Sequence, residues 1–332
     1  MSAVRPLAHA PQLRVDYVND ASDASLALLL AQPDTLAVFG FGDAAPAHHD
    51  PRYLRVPLHP HGAAPFEVWR SHGPVHVGVH GAVHYAEDDT LQFGWIEVDE
   101  NGVGLEAASA EAYAAMSAFV RSRGFPHLLR SWNYLDAITD GAGDDERYRR
   151  FCVGRAAGLG EVTIGTLPAA TAIGRRDGNR TLQVYWLAGR TPGTPVENPR
   201  QVSAYRYPRQ YGPQSPSFAR AMVPPSHDMP LLLSGTAAVV GHESRHHDCV
   251  ESQLAETFAN FESLIAAARA VRPELPQRFG PQSRLKVYVR DADALPLIEQ
   301  ALAEHLDVSV PRVLLHAAIC RRELRVEIDG VL

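Results

Sequence analysis

Two side chains near the C-terminus could carry out acid–base or nucleophilic chemistry. Apolar residues occupy alternate positions in the run 324–328, so Glu327 faces the opposite side of a predicted strand. A carboxyl desolvated by apolar neighbours can stay protonated near neutral pH and act as a proton donor. Cys320 follows a wholly apolar run. The residues alone leave two alternatives open, a solvent-facing Glu327 paired with Arg325 and a buried structural thiol at Cys320.

A second group of residues could bind an anion. The stretch 205–221 contains three prolines that prevent a regular helix. It carries or adjoins three tyrosines and four arginines: Tyr205, Tyr207, Tyr211, Arg200, Arg206, Arg209 and Arg220. Guanidinium forks and phenol hydroxyls on a stiff loop suit a small dicarboxylate. A surface loop with solvated arginines is the alternative.

Other motifs that carry chemistry are missing from the sequence. Lys286 is the single lysine, which excludes a P-loop, and no G-x-S-x-G nucleophile motif is present. Gly40-Phe-Gly42 follows a predicted strand but lacks the third glycine of a dinucleotide-binding turn. The sixteen histidines include the run 242–248, which lacks metalloprotease spacing. We therefore expect solvated histidines, no metal and no cofactor.

Composition limits the class of protein. With 332 residues, 45% of them hydrophobic, the chain is long enough for roughly two domains. The 31 basic and 38 acidic residues give a net charge of −7, which argues against a nucleic-acid partner. Three scattered cysteines make no disulfide framework. The first thirteen residues do not resemble a signal peptide, and the apolar stretch 229–241 is too short to span a membrane, so we expect a cytoplasmic protein.

The candidate residues must be positioned by a mixed set of elements. Hydrophobic periodicity predicts helices over 107–123, 248–271 and 294–306. It predicts strands over 35–40, 75–85, 285–289, 313–318 and 324–328, a strand running into a loop over 127–140, and two strands joined by a turn over 231–241. It also predicts a hairpin of 167–174 with 181–189 around an Asp-Gly loop. We expect an α+β sheet with helices packed on one face, divided into domains 1–148 and 149–332.

The end of the chain resembles the YjgF/RidA superfamily. Arg312 and Glu327 stand at the positions that match its ligand-binding Arg and Glu, and Gln253, Thr257 and Asn260 match a superfamily helix. The resemblance covers about a third of the chain. It implies a RidA-like, chorismate-mutase-like sheet in the C-terminal half and a related or degenerate α+β scaffold in the N-terminal half. It also implies either a homotrimer or one chain that mimics a trimer.

Four segments together resemble the bacterial chorismatases. They are RSWNYLDAIT (130–139), YPRQYGPQSPSFARA (207–221), LSGTAAVVGHES (233–244) and CRRELRVEI (320–328). This resemblance covers nearly the whole chain. It implies cleavage of the enolpyruvyl ether of chorismate with release of pyruvate. Cys320 is similar to the branch that makes 3- or 4-hydroxybenzoate rather than a diene diol.

The chorismatase resemblance also implies roles for individual residues. Glu327 would protonate the enolpyruvyl methylene, and Cys320 would steer the ring intermediate toward aromatisation. The substrate's two carboxylates would be held by residues of the 205–221 loop together with Arg290 or Arg312; the loop candidates are Tyr205, Arg209, Tyr211 and Arg220. Backbone N–H groups would come from Gly235, Thr236 and Ala237.

Three alternative functions stay open at this stage. A chorismatase could instead release a dihydroxycyclohexadiene carboxylate, which needs one water that the hydroxybenzoate products do not need. A RidA-like enamine or imine deaminase would share Arg312 and Glu327, although such proteins are single small domains without the 207–221 loop. A non-catalytic module that binds a small aromatic acid would keep the arginines but would not need Glu327.

Overall fold

The computed structural model describes residues 10–161 and 163–332, which form an α+β fold. The helices are α1 (Asp23–Leu30), α2 (Gly104–Ser122), α3 (Arg147–Leu159), α4 (Val250–Val271) and α5 (Leu295–His305). The strands are β1 (Arg14–Val18), β2 (Thr35–Phe41), β3 (Tyr53–Val56), β4 (Phe66–Arg70), β5 (His76–His80), β6 (Val83–Glu87), β7 (Leu91–Asp99), β8 (His127–Asp136), β9 (Ala169–Arg175), β10 (Thr181–Gly189), β11 (Thr194–Val196), β12 (Ala221–Val223), β13 (Leu232–Thr236), β14 (Val239–Val240), β15 (Glu243–Ser244), β16 (Arg284–Val289), β17 (Arg312–His316) and β18 (Val326–Val331). None of the helices in this part of the chain is long and apolar enough to cross a membrane.

Most strands belong to three sheets. The first has the order β1-β4-β2-β3, the second β5-β6-β7-β10-β8-β9, and the third β11-β12-β13-β18-β16-β17. Strands β14 and β15 form a separate short hairpin. The expected α+β class is confirmed, and α2, α4 and α5 lie within a few residues of their predicted positions.

The three sheets share one core and carry their helices outside it. Aromatic side chains from all three sheets meet in this core: Trp69 from the first, Trp132 and Tyr185 from the second, and Tyr288 from the third. Trp132 and Tyr185 stack with ring centroids 4.7 Å apart. The opposite faces of the sheets are covered by α1, by α2 with α3, and by α4 with α5. This arrangement gives each sheet two apolar faces.

One predicted strand pairing is wrong, and one predicted single strand is a pair of strands. Strands β9 and β10 are not a hairpin, because β8 lies between them, parallel to β9 and antiparallel to β10. The connecting loop spans this gap, and Arg175 stabilises it by donating to the carbonyls of Asn179 and Thr181 at 2.6 Å each. The predicted strand 75–85 is a hairpin of β5 and β6 that turns at Gly81, where φ is +59°. A left-handed φ of this kind favours glycine.

The second sheet continues across the predicted domain boundary at 148/149. Strand β10 pairs with β7 and β8, so strands from both sides of residue 148 share one ladder. The second and third sheets meet at two isolated bridges, Ala169 with Ala219 and Gly174 with Ala318. The site described below lies at this junction.

Candidate active site

A cavity of about 380 Å³ lies where the second and third sheets meet. Its walls come from α3, β9, the loop before β12, the end of β13 with the turn after it, and the segment that leads into β18. The residues that line it include Tyr148, Cys152, Arg155, Thr171, Tyr207, Tyr211, Arg220, Gly235, Ala237, Cys320, Arg321 and Glu327. This volume is within the usual range for small-molecule sites. Five of the predicted site residues other than Glu327 therefore line the same cavity: Cys320, Tyr211, Arg220, Gly235 and Ala237.

Helix α3 forms one wall because its other face packs closely on α2. A Cβ added at Gly154 or Gly158 would overlap the α2 carbonyl oxygens of Glu106 and Ala110. Glycine at these two positions lets the helices approach backbone to backbone. The adjacent face of α3 presents Tyr148, Cys152 and Arg155, spaced i, i+4 and i+7, to the cavity, and the Arg155 guanidinium lies 5.1 Å from the Tyr113 ring of α2.

The carboxyl of Glu327 is buried at the end of the cavity. Strand β18 places Val326 and Ile328 in the core beneath α4 and α5, so Glu327 points to the opposite face, with 5% of its surface exposed. Burial, helped by the negative charge of Asp329 and opposed by nearby arginines, raises the pKa of Glu327 to about 8. The side chain therefore carries a proton at neutral pH and can act as a general acid.

Cys320 lies near this carboxyl. Burial raises the pKa of its thiol well above the ordinary range, and the charge of Glu327 adds to that shift. Cys152, on the α3 wall, has a pKa raised to about 12, also by burial. Both groups are thiols at neutral pH. A role for Cys320 as nucleophile or base therefore requires that its proton be taken up by a neighbouring group during the reaction.

Arginines with free hydrogen-bond donors surround the cavity. Arg155 is 3% exposed, and its Nε and one terminal nitrogen have no partner within the described chain. Arg220 is 5% exposed and has an unpartnered Nε, while one terminal nitrogen donates to the Tyr207 hydroxyl at 2.7 Å. The guanidinium carbon of Arg321 lies 4.2 Å from the centroid of the Tyr211 ring. Leaving buried donors unpartnered is costly, so this arrangement suits an anionic ligand.

Besides Thr236, four of the expected binding residues lie outside the cavity lining. Arg209 makes two bonds to Asp144, at 2.8 and 2.5 Å, on an exposed surface. Arg290 makes two bonds to Asp291, at 2.9 and 2.7 Å. The other two are held elsewhere: Arg312 donates to the Val310 carbonyl at 3.3 Å, and the ring of Tyr205 packs under Arg206. The guanidinium groups of Arg209 and Arg290 are therefore already neutralised by carboxylates of the protein.

The polar groups at the end of β13 also bond to the protein itself. The Gly235 amide donates to the Thr171 hydroxyl at 3.0 Å, and the Ser234 amide donates to the Arg220 carbonyl at 3.0 Å. Thr236 lies just outside the lining, and its hydroxyl donates to the Ser234 carbonyl. The expected backbone donor at Gly235 is therefore occupied by a protein acceptor.

Sequence reasoning missed Arg155 and Arg321 as cavity residues, and it left Tyr207 out of the loop's substrate-binding candidates. Arg155 and Cys152 lie in α3, a helix that was not predicted from the sequence. Their i, i+3 spacing, with Tyr148 one turn earlier, was the available signal that these three side chains share one face of a helix. Arg321 follows Cys320 directly, and Tyr207 lies inside the tyrosine-rich loop. Proximity to residues already selected could have identified both.

Comparison with known proteins gives consistent matches. Residues 67–188 match the family described as "Chorismatase FkbO/Hyg5-like, N-terminal". A protein of Streptomyces rapamycinicus named "Chorismatase" is 37% identical over 274 residues, covering 80% of this chain and 81% of that protein. A Streptomyces hygroscopicus protein named "3-hydroxybenzoate synthase" is 35% identical over 281 residues, covering 81% and 82%.

The chain belongs to the chorismatase family. This confirms the family predicted from the four sequence segments. A chorismatase crystal structure covers 97% of this chain and 98% of its own, with a TM-score of 0.84 at 31% identity. The whole chain therefore has the chorismatase fold, including the N-terminal half. A RidA structure from an Antarctic Psychrobacter covers 35% of the chain with a TM-score of 0.29, a likeness too partial to decide the fold of either half.

Proposed function

We propose that this protein cleaves the enolpyruvyl ether of chorismate and releases pyruvate with 3- or 4-hydroxybenzoate. The observation that carries the proposal is a buried, protonated Glu327 in one cavity with buried arginine donors that have no protein partner. Relatives named "Chorismatase" and "3-hydroxybenzoate synthase" support the same substrate and product. Chorismate carries two carboxylates and an acid-labile enol ether, the two features that this cavity is equipped to engage.

Glu327 is the proton donor in this proposal. Cleavage begins when the terminal methylene of the enolpyruvyl group takes a proton, which leaves an oxocarbenium ion at the ether carbon. A carboxyl with a pKa of about 8 is still mostly protonated at pH 7, whereas a solvated glutamate is not. A positioned general acid contributes about 10²- to 10⁴-fold. Placement of the dianion and stabilisation of the oxocarbenium ion supply the remaining rate enhancement.

The positions of the arginines support an assignment of the two carboxylates. The enolpyruvyl carboxylate is attached to the carbon next to the methylene, so it must lie close to Glu327. Arg220 and Arg321 are the cavity arginines whose charges act on the Glu327 carboxyl. We therefore assign the enolpyruvyl carboxylate to Arg220 and Arg321. The ring carboxylate is assigned to Arg155 on the α3 wall.

Cys320 acts on the ring in this proposal. Hydroxybenzoate and pyruvate together contain all the atoms of chorismate, so no water is consumed. The methylene gains one proton from Glu327, and aromatisation removes one C–H proton from the ring, so Glu327 can be reprotonated in the same turnover. The Cys320 thiol, next to the carboxylate that forms at Glu327, steers the ring intermediate toward aromatisation as nucleophile or base.

We also infer that a single chain reproduces the arrangement expected of a trimer. Three sheets surround one aromatic core, and each carries its helices on the outside. Within that arrangement the N-terminal half is a scaffold that completes the core. Sedimentation analysis of the purified protein tests this inference: a monomer is expected, and a stable trimer would contradict it.

The proposed activity is tested by incubating purified protein with chorismate and separating the products by chromatography. Pyruvate in equal amount to 3- or 4-hydroxybenzoate is expected. Pyruvate with a non-aromatic diene diol would keep the role of Glu327 and overturn that of Cys320. Turnover of enamines or imines without pyruvate release from chorismate would overturn the proposal in favour of a deaminase.

A further inference from the structure

A buried polar cluster lies directly behind the proposed proton donor. Glu327 and Asp329 are two residues apart on β18, so their side chains leave the same face of the sheet. Asp329 is fully buried, and its Oδ2 accepts four hydrogen bonds. The donors are Arg130 at 3.2 Å, Trp132 Nε1 at 3.0 Å, Thr171 Oγ1 at 2.7 Å and Tyr288 OH at 3.0 Å.

The Thr171 hydroxyl uses its full bonding capacity inside this cluster. A hydroxyl has one proton to donate and two lone pairs that can accept. Thr171 Oγ1 accepts from Arg130 at 2.5 Å and from the Gly235 amide at 3.0 Å. Neither of those groups can accept a hydrogen bond, so the Thr171 proton must point to Asp329 Oδ2. Thr171 lines the cavity but has no bonding direction left for a ligand.

Gly235 connects this cluster to the Glu327 carboxyl. The pairing of β13 with β18 is irregular between Leu233 and Thr236, which places Gly235 in a bulge. A Cβ at Gly235 would overlap Glu327 Oε1, so the carboxyl lies directly on the glycine backbone. The same Cβ would lie 3.3 Å from Thr171 Oγ1. The Gly235 backbone is therefore held by Thr171 on one side and supports the Glu327 carboxyl on the other.

The charges of the cluster balance without Glu327. Arg130 on β8 and Lys286 on β16 are the buried cations, and Asp329 on β18 and Glu67 on β4 are the buried anions; Lys286 Nζ lies 3.0 Å from Glu67 and 3.6 Å from Asp329. The surrounding loops bring Arg220, Arg321 and Cys320 close enough to interact electrostatically with Glu327. The Tyr148 hydroxyl on α3 interacts with it in the same way. Burial is the main reason that the neutral acid is favoured at Glu327, and an additional negative charge there would also be repelled by Asp329.

We propose that Thr171 is a positioning residue for proton transfer, because its hydroxyl couples the fixed Asp329 carboxylate to the Gly235 amide and so sets the place of the Glu327 carboxyl. This inference rests on the proposed role of Glu327 as the acid. Thr171 does not bind the substrate, and its effect is confined to where the reacting proton sits.

The test compares Thr171→Val with Thr171→Ser. Valine keeps the shape but removes all three hydrogen bonds, whereas serine keeps the hydroxyl. We expect Thr171→Val to lower kcat about 10- to 100-fold, because a misplacement of about 1 Å can cost about 100-fold. KM for chorismate should change by less than about threefold, and Thr171→Ser should keep kcat within about threefold, since the hydroxyl network is retained. Thr257→Val is the matched control, because Thr257 is a buried threonine whose hydroxyl bonds only its own helix.

Thr171→Ala is measured in parallel, because valine leaves buried polar groups unpartnered and could prevent folding, whereas alanine leaves space for water. Folding is checked by thermal melting and circular dichroism. A folded Val or Ala variant with kcat within about twofold of the wild type would overturn the inference, as would a Ser variant as slow as Val.

Glu327→Gln separates the two proposals. If Glu327→Gln keeps turnover, the acid assignment itself fails; if it is inactive while Thr171→Val is normal, only the positioning role fails.

Discussion

Raising the pH should inactivate this enzyme by removing the proton from Glu327. With a pKa of about 8, the carboxyl is about nine-tenths protonated at pH 7 and about one-tenth protonated at pH 9. A solvated glutamate with a pKa of about 4.3 would be only about 0.2% protonated at pH 7. Burial of Glu327 therefore increases the reactive fraction of enzyme at pH 7 by a factor on the order of several hundred.

The assay is pyruvate release, measured as kcat/KM from pH 6 to pH 10. The basic limb of kcat/KM reports the free enzyme's essential acid. Chorismate's carboxylates are ionised throughout this range, so the limb belongs to the protein. We expect a plateau below pH 7 and a tenfold fall per pH unit above the midpoint near 8. Asp329→Asn should move that midpoint to lower pH, because the charge that disfavours ionisation of Glu327 is lost.

Two results would refute this reasoning. A kcat/KM that stays constant to pH 10 would mean that no group with a raised pKa donates the proton. A rate that rises between pH 6 and pH 9 would mean that a deprotonated group is required, which would point to a thiolate rather than a carboxylic acid.

Further expectations concern the thiol, the ring carboxylate and stability. Cys320→Ala should change the ratio of products more than total pyruvate release, with the exposed Cys249→Ala as control, and unchanged chromatograms would remove the thiol from the mechanism. Arg155→Met should raise KM for chorismate about 10- to 100-fold, since a hydrogen bond to a charged group contributes about 1.5–3 kcal/mol; the surface change Arg190→Met should leave KM unaltered. Because folding raises the pKa of Glu327, its contribution to stability is present below the unfolded value and is lost as pH rises through about 8. Glu327→Gln should therefore melt at a higher temperature than the wild type at pH 9, an advantage that shrinks toward pH 5.

The side of the sheet that Glu327 faces could be predicted from the sequence, because strand alternation is a local property. Val326 and Ile328 contact the core beneath α4, and the residue between them must point the other way. The loop that ends at Arg220 was also identifiable from its prolines, arginines and tyrosines. These signals depend on neighbouring residues only.

Helix α3 and Arg155 could not be predicted in the same way. The helix contains two glycines and four arginines, which weakens both propensity and apolar periodicity. It is stable because Gly154 and Gly158 allow close packing on α2, a contact made only in the folded protein. The partner of Arg209 was equally hidden, because Asp144 is 65 residues away in the sequence. The partner of Arg290 is the adjacent Asp291, but charge alone does not show which arginines the protein neutralises itself.

The measurement that tests the central claim most directly compares wild type with Glu327→Gln in chorismate binding and in pyruvate release. Glutamine keeps the shape of the side chain but cannot donate a proton as an acid. We expect the variant to bind chorismate within a few-fold of the wild-type affinity and to release pyruvate at least about 100-fold more slowly, while Glu262→Gln, on α4 outside the cavity, keeps full activity. Pyruvate release by Glu327→Gln at the wild-type rate would contradict the account.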